Sequence, residues 1–229
     1  MSENKLTNII DNIKSKNGNL SQSAQAYMIL YEAIQKYILR PGQPISEKEL
    51  SEKLNMSRTP IREAIYRLKN DGLVEKKRYK GTFIKSFTKE DIRQIYEIAE
   101  SLESMAVFLC AKRASEEELK TLNKCILKME DAEKNQSFEK WLKADQSFHD
   151  IIPHICDNQY LAEVSTKYHA QINLIRVAYL HSTGIISASI KDHRETYELI
   201  KKGKGDLARK VTQKHWEDIR ERTLESIYF

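Results

Sequence analysis

Helix breakers are scarce in this chain, which has 7 glycines and 4 prolines in 229 residues, with Pro41, Pro44 and Pro60 all in the first third. Long stretches therefore run without a residue that ends a helix, and a mainly α protein is predicted. No apolar run approaches the ~20 residues that cross a bilayer, so no membrane partner is expected. Residues 1–20 are polar, rich in Asn and Lys, and lack the apolar core of a signal peptide. Cysteine is limited to Cys110, Cys125 and Cys156. Three is an odd number, and the spacings fit neither a metal knuckle nor a redox pair. Free thiols in a reducing, cytoplasmic setting are therefore expected.

What is present is a workable core and an uneven charge. Hydrophobic residues make up 40% and charged residues 31%, enough for one large or two modest domains. Residues 1–87 hold 16 Lys and Arg against 9 Asp and Glu, whereas residues 88–229 hold 22 against 24. A basic front part joined to a near-neutral rear part points to a polyanion as partner of the first. Charge alone does not establish one, since many basic domains bind no nucleic acid.

Between Ala24 and Leu39 the residues Tyr27, Leu30, Tyr31, Ile34 and Ile38 recur at helical spacing, and Pro41-Gly42 is the expected stop. Ser46 and Glu49 form a capping-box pattern ahead of Leu50 and Leu54, which predicts a short helix. After the break at Asn55-Met56, Ser57 is a good N-cap and Pro60 suits a first turn. A further helix is expected over 58–70 with Ile61, Ala64, Ile65 and Leu68 inward. Two short helices across a tight turn make a helix-turn-helix, whose second helix enters the major groove by its N-terminal residues. Here these are Ser57, Arg58, Thr59 and Arg62. Arginine reads guanine bidentately, and hydroxyls suit phosphate oxygens. Two strands, 73–77 and 82–84, then flank a basic hairpin of Arg78, Tyr79, Lys80 and Gly81, which reads as a wing against backbone or minor groove. Each feature is common singly; their order between Ala24 and Ile84 is not.

The segment PGQPISEKELSEKLNMSRTPIREAIYRLKNDGLVEKKRYKGTFI resembles the DNA-binding domain of the GntR family of bacterial regulators. The likeness lies in its Pro-Gly, its S-E-K-E-L, its S-R-T-P-x-R-E-A-x-x-R-L run and its wing glycine. The resemblance implies DNA contacts at Lys48, Arg58, Arg62 and Gly81, with Ser57 and Thr59 beside them. Relatives commonly carry Arg where this chain has Lys48, so a phosphate contact replaces a bidentate one there.

From Thr88 onward the pattern is helical throughout. Thr88 or Asp91 caps a helix to Ala114 with Ile92, Ile95, Ile98, Leu102, Met105 and Leu109 as its apolar positions. Ser115 with Glu118 opens another helix to Lys134, and Ser137 begins one that reaches Cys156 with a kink at Pro153. Asn158 begins one to His181. Thr183-Gly184 breaks the chain before a helix ending near Gly203, and Asp206 caps a last helix. The expectation is an N-terminal winged helix-turn-helix followed by an antiparallel bundle of six or seven helices. The corresponding parts are a polar arm over 1–20, the DNA-binding domain over 21–86 and an all-helical effector-binding domain over 87–229. The arm is either loose or an extra helix, at which Ile9, Ile10 and Ile13 hint.

Four polar residues stand out in the rear part. Asp145 and His149 are spaced i, i+4 on one helix face, and His193 and His215 lie on the last two helices. A carboxylate with imidazoles suits a divalent transition metal such as Zn, Ni, Mn or Fe. Taken singly, each histidine is more often a hydrogen-bonded core residue, and His154, His169 and His181 receive no role. The runs A-D-Q-S-F-H-D-I-I, D-N-Q-Y-L, D-H-R-E-T-Y-E-L-I and A-R-K-V-T-Q-K-H resemble the FCD effector domain of the FadR subfamily. That resemblance implies a metal on Asp145, His149, His193 and His215, and a small organic acid held near it. Asn173 and Arg176 are candidate effector contacts, an arginine fork being one way to hold a carboxylate; a surface Arg lying on its stem is the alternative. Relatives often carry Arg where this chain has Ala99, which puts the usual effector class in doubt.

The function expected is that of a DNA-binding regulator, a homodimeric repressor on double-stranded operator DNA whose affinity a small organic acid controls. One alternative is a regulator that answers to the metal itself with no organic effector. A metal-dependent enzyme is the other, and against it no general base or nucleophile stands at a recognisable spacing.

Overall fold

The structure, a computed structural model, describes residues 2–183 and 190–226. The chain divides into two compact units, the first formed by residues 1–87 with 173–178 and the second by residues 88–172 and 179–229.

In the first unit the N-terminal segment is helical. Helix α1 (Ser2–Lys16) buries Ile9 and Ile13 and packs on α2 (Gln22–Gln35), while Lys14 Nζ donates to the Leu54 carbonyl at 2.9 Å. The extra-helix alternative for this segment is the one that forms. Helix α2 ends before the residues expected of it. Tyr37 takes the left-handed conformation at φ 57°, its amide bonds Ile34 O, and the Ile38 amide bonds Ala33 O. That pair of bonds is a Schellman closure, which satisfies the last carbonyls without a proline. Pro41-Gly42 therefore follows the stop instead of causing it.

Helix α3 (Glu47–Leu54) has Ser46 as its N-cap, and the Ser46 hydroxyl accepts from the Glu49 amide. Asn55 at φ 51° turns the chain into α4 (Arg58–Asn70), which buries Pro60, Ile61, Ala64, Ile65 and Leu68. Tyr27 ties α2 to the end of α4: its hydroxyl donates to Asp71 at 2.8 Å, and the Arg67 guanidinium lies 4.2 Å from its ring centroid. The described residues of this unit form three strands where two were expected. β1 (Pro44–Ile45) pairs with β3 (Gly81–Ile84), which pairs in turn with β2 (Val74–Lys77), all antiparallel. β1 has only two residues, too few for alternation to register in the sequence.

The second unit is built from α5 (Lys89–Arg113), α6 (Glu116–Lys134), α7 (Phe138–Ile155), α8 (Gln159–Thr183) apart from residues 173–178, α9 (Ile190–Lys201) and α10 (Gly205–Ser226). Thr88 with Asp91, and Ser115 with Glu118, close full capping boxes at the starts of α5 and α6. Pro153 lies in the last turn of α7, and Thr183 ends α8; Gly184 is outside the described residues. α10 starts at Gly205, one residue ahead of the expected cap. A Cβ there would stand 2.9 Å from the Phe108 carbonyl oxygen, so glycine lets α10 close on α5. The core face of α5 is only partly the one its apolar residues predict, since Ile95 and Leu109 are buried as expected but share that face with smaller and polar residues. Ile92, Tyr96, Ala99, Glu103, Val107 and Cys110 are buried, whereas Ile98 and Leu102 are half-buried and Met105 is exposed.

Candidate metal centre and nucleic-acid interface

Four helices of the second unit bring polar side chains to one buried point. α5 packs against α7, α9 and α10, and α9 packs against α10. Asp145 and His149 come from one face of α7, His193 from α9 and His215 from α10, and all four are buried. The His149 and His193 Nε2 atoms lie 3.1 Å apart. Asp145 Oδ1 is 3.3 Å from His193 Nε2 and 3.8 Å from His149 Nε2. Ligand atoms of all three histidines fall within 4.8 Å of one another.

The 3.1 and 3.3 Å separations match what a shared ion requires, and the 3.8 Å one is wider. With metal–nitrogen bonds of ~2.0–2.1 Å, neighbouring donors stand about 3.0 Å apart in an octahedral site and about 3.4 Å apart in a tetrahedral one. A second observation concerns His215, whose Nε2 is buried and has no hydrogen-bond partner among the described residues. Leaving such an atom unmade is costly unless something else satisfies it. The donor set of one carboxylate and three imidazoles fits a borderline divalent cation.

The outer contacts fix which nitrogen faces inward. His149 Nδ1 is 2.8 Å from both oxygens of Glu103, a buried residue of α5. His215 Nδ1 is 3.2 Å from Asp192 Oδ2. A carboxylate on Nδ1 holds the imidazole in the tautomer that turns its Nε2 lone pair the other way. Burial pushes the His215 pKa down, against the opposing pull of Asp192, which favours the neutral ring a metal needs. The hydrogen bond to His215 in turn holds Asp192 below the ordinary carboxylate range. Burial pushes Glu103 up, with the neighbouring imidazoles of His169, His215 and His193 opposing. Aromatic walls complete the enclosure: Phe148 stands edge-on to His193 at 4.5 Å between centroids, and Trp216 lies 5.1 Å from His149.

Glu103, Asp192 and Trp216 were not among the expected site residues. Glu103 could have been found as the one charged residue on the stripe of Ile92, Tyr96, Ala99 and Val107; Asp192 shows only in the adjacency of its carboxylate to His193 in the chain. His169, given no role from the sequence, lies with Nδ1 3.2 Å from Asp150 and Nε2 3.7 Å from Glu103. Asn173 and Arg176 sit one and two turns beyond His169 on α8, in the stretch that belongs to the first compact unit. Both are buried, so Arg176 is not the surface residue of the alternative reading.

In the first unit Ser57, Arg58, Thr59 and Arg62 lie exposed at the N-terminal end of α4, opposite its buried face. Lys48 is exposed on α3 and Gly81 opens β3 at φ 102°. Nothing lies within 4 Å of a Cβ built at Gly81, so its backbone angle and not crowding calls for glycine. Arg62 forms a bidentate pair with Glu47 of α3, its Nη2 3.0 Å and Nε 3.2 Å from Oε2. The fork that suits a guanine edge thus rests on a carboxylate in the unbound protein.

Two family models match. Residues 22–84 match "Bacterial regulatory proteins, gntR family" and residues 94–218 match "FCD domain". Over 204 residues the chain is 30% identical to the uncharacterized HTH-type transcriptional regulator YdhC of Bacillus subtilis, covering 86% of this chain and 90% of that one. It is 23% identical to the HTH-type transcriptional repressor RspR of Escherichia coli, covering 86% of each. Among solved structures, a putative transcriptional regulator GntR from Rhodococcus sp. RHA1 superposes with a TM-score of 0.80 at 20% identity, over 91% of this chain and all of that one. E. coli McbR/YncC gives 0.78 at 21% identity, over 90% and 98%.

Proposed function

Because the chain belongs to the GntR family of bacterial regulatory proteins and carries an FCD domain behind its DNA-binding domain, we propose that it is a repressor whose hold on operator DNA answers to a small organic acid. It is a DNA-binding transcription regulator and not an enzyme. On this reading the acid is captured at a divalent metal held by Asp145, His149, His193 and His215. The observation that carries it is the convergence of two ε-nitrogens 3.1 Å apart, the Asp145 carboxylate and the buried His215 Nε2 that no described residue satisfies. A bound divalent ion supplies a fixed positive charge with coordination positions beyond the four protein donors, which is a chemistry that captures carboxylates. Glu103 and Asp192 orient the histidines, and Phe148 and Trp216 keep water from the donors.

Ser57, Arg58, Thr59 and Arg62 read the major groove, Lys48 holds phosphate, and the wing beginning at Gly81 lies on the flanking backbone. Two chains pair on a pseudo-palindromic site, one half-site each, and the apolar strip of half-buried Ile98 and Leu102 with exposed Met105 on α5 supports such a pairing. Repression is supported by the name of the E. coli relative RspR. A second reading, regulation by the metal alone, draws on Ala99. That residue is buried on the same face of α5 as Glu103 and brings no cation for a carboxylate.

A thermal-shift screen of small organic acids on metal-loaded and chelator-stripped protein separates the two. A rise in Tm with an acid only when metal is present is the expected result. No shift with any acid beside a large shift with metal alone would overturn the organic effector in favour of metal response.

A further inference from the structure

Helix α1 lies wholly ahead of residues 22–84, the span that matches the family's DNA-binding domain, and no role assigned so far involves it. Its sequence explains why it packs. Leu6, Ile9, Ile10 and Ile13 recur at three- and four-residue spacing, and Ile9 and Ile13 are buried where α1 meets α2. Beyond the helix, the Gln25 side-chain amide donates to the carbonyls of Asn17 and Leu20 at 3.3 and 3.0 Å, which pins the turn into α2. A stripe and a turn thus fix α1 in place.

That placement brings one side chain to a third helix. Lys14 follows Ile10 by four residues, so it extends the same face, and it is half-buried. A lysine ammonium is strongly hydrated and ordinarily stays in water. Here it donates at 2.9 Å to the carbonyl of Leu54, 40 residues further along the chain. Leu54 is the last residue of α3. Its carbonyl stands at the negative end of that helix, where a cation is favoured.

The end of α3 is where the helix-turn-helix bends. Asn55 is left-handed at φ 51°, the Asn55 and Met56 amides bond Glu52 O and Ser51 O, and the Ser51 hydroxyl donates to the Met56 carbonyl at 2.6 Å. These bonds close the turn from within α3 and its cap. Lys14 is the tie that reaches it from another helix. Ser57 then caps α4, which carries Arg58 and Arg62 in its first turns.

We propose that Lys14 is a positioning residue for DNA reading. By holding the last carbonyl of α3 it fixes the α3–α4 turn, and with it the angle at which α4 presents Arg58 and Arg62. The role rests on the DNA-reading assignment of α4 above. Bidentate base contacts demand close placement, whereas phosphate contacts tolerate displacement, so the loss should fall on specificity.

The test uses the full-length protein and a duplex that the parent enriches from a randomised pool. Lys14→Met keeps the stem and removes the charge. Its affinity for that duplex should fall about threefold to tenfold, the cost of ordering a loosened turn on binding. Affinity for random duplex should hold, and the slope of affinity against salt should not change, since no phosphate contact is lost. Amide exchange at Asn55 and Met56 in the free protein should quicken, and Lys14→Arg should restore all three properties. A slope smaller by about one, with both duplexes weakened alike, would place Lys14 on a phosphate and overturn the positioning role. Parental affinity and discrimination in Lys14→Met, with or without a change in Tm, would reduce α1 to a brace for the fold. Either result leaves the DNA-reading assignment standing. A loss in Lys14→Arg equal to that in Lys14→Met would overturn the part given to the charge. Failure of the parent to enrich any duplex would overturn both assignments together.

Discussion

Glu103 and His149 meet through two 2.8 Å contacts with no room for water, so the orientation of one ring depends on one buried carboxylate. Glu103→Gln keeps the shape but gives up the charge that favours the Nδ1–H tautomer. Outer carboxylates of this kind typically tune metal affinity by ~10–100-fold, and a loss near the lower end is expected, read by competition with a chromophoric chelator. Circular dichroism should be unchanged, since the amide fills the same space. His193→Ala removes a donor outright, and bound metal and Tm should fall together. Undiminished metal content after either dialysis or gel filtration would remove His193 from the ligand set. The i, i+4 spacing places Asp145 and His149 on one helix face whatever the tertiary context, but only the resemblance to the FCD domain joined them to His193 and His215. Glu103 was not legible, because a single charged residue on a stripe becomes meaningful only once that stripe is known to face the core. Of the apolar positions expected on that helix, Ile92, Ile95 and Leu109 are buried, whereas Ile98, Leu102 and Met105 lie away from the face that holds Glu103.

At the scale of elements, local chemistry carried most of the reading. The capping box at Ser115/Glu118 and the buried face of α4 follow from spacing alone, and Thr88 and Asp91, read as alternative caps, form one box together. What escaped were features closed by tertiary or turn geometry. β1 exists only because β3 lies beside it, and α2 stops at a left-handed Tyr37 that no composition rule anticipates. The α3–α4 pair also yields a prediction in two parts. Arg62→Ala should lower affinity for the operator by about tenfold or more, the scale of one bidentate base contact, with helicity unchanged because the side chain is 70% exposed. Glu47→Ala acts on the same arginine from the other side. It removes a carboxylate from the face that meets phosphates and frees the guanidinium, so affinity for non-specific duplex should rise. Discrimination between operator and random DNA should narrow, because the fork is no longer held in one orientation. Titrations of both duplexes at fixed salt measure each effect. An unchanged ratio in Glu47→Ala would mean that the pair seen in the unbound protein has no part in reading DNA.

For the whole molecule the question is whether the two units communicate, and thermodynamics constrains the answer without any assumption about their arrangement. Suppose that metal, with or without an acid, changes operator affinity by some factor. Operator must then change the affinity for that ligand by the same factor, because the four states form a closed cycle. A purely structural metal gives a different pattern. It raises Tm by mass action on the folded state yet leaves the operator isotherm unmoved once the protein is folded. The prediction is therefore a matched pair of measurements on the parent protein. One is operator affinity with metal bound and with metal removed below the unfolding temperature. The other is metal affinity with and without saturating operator. For a regulator the two ratios should agree and differ from one, on the order of 5–150-fold as couplings between sites usually run. His193→Ala should bring both ratios to one while leaving basal operator binding intact, since Arg58 and Arg62 are on the other unit. Two ratios of one in the parent, beside a large metal-dependent Tm, would leave the metal as a brace for the helices and place any signal elsewhere.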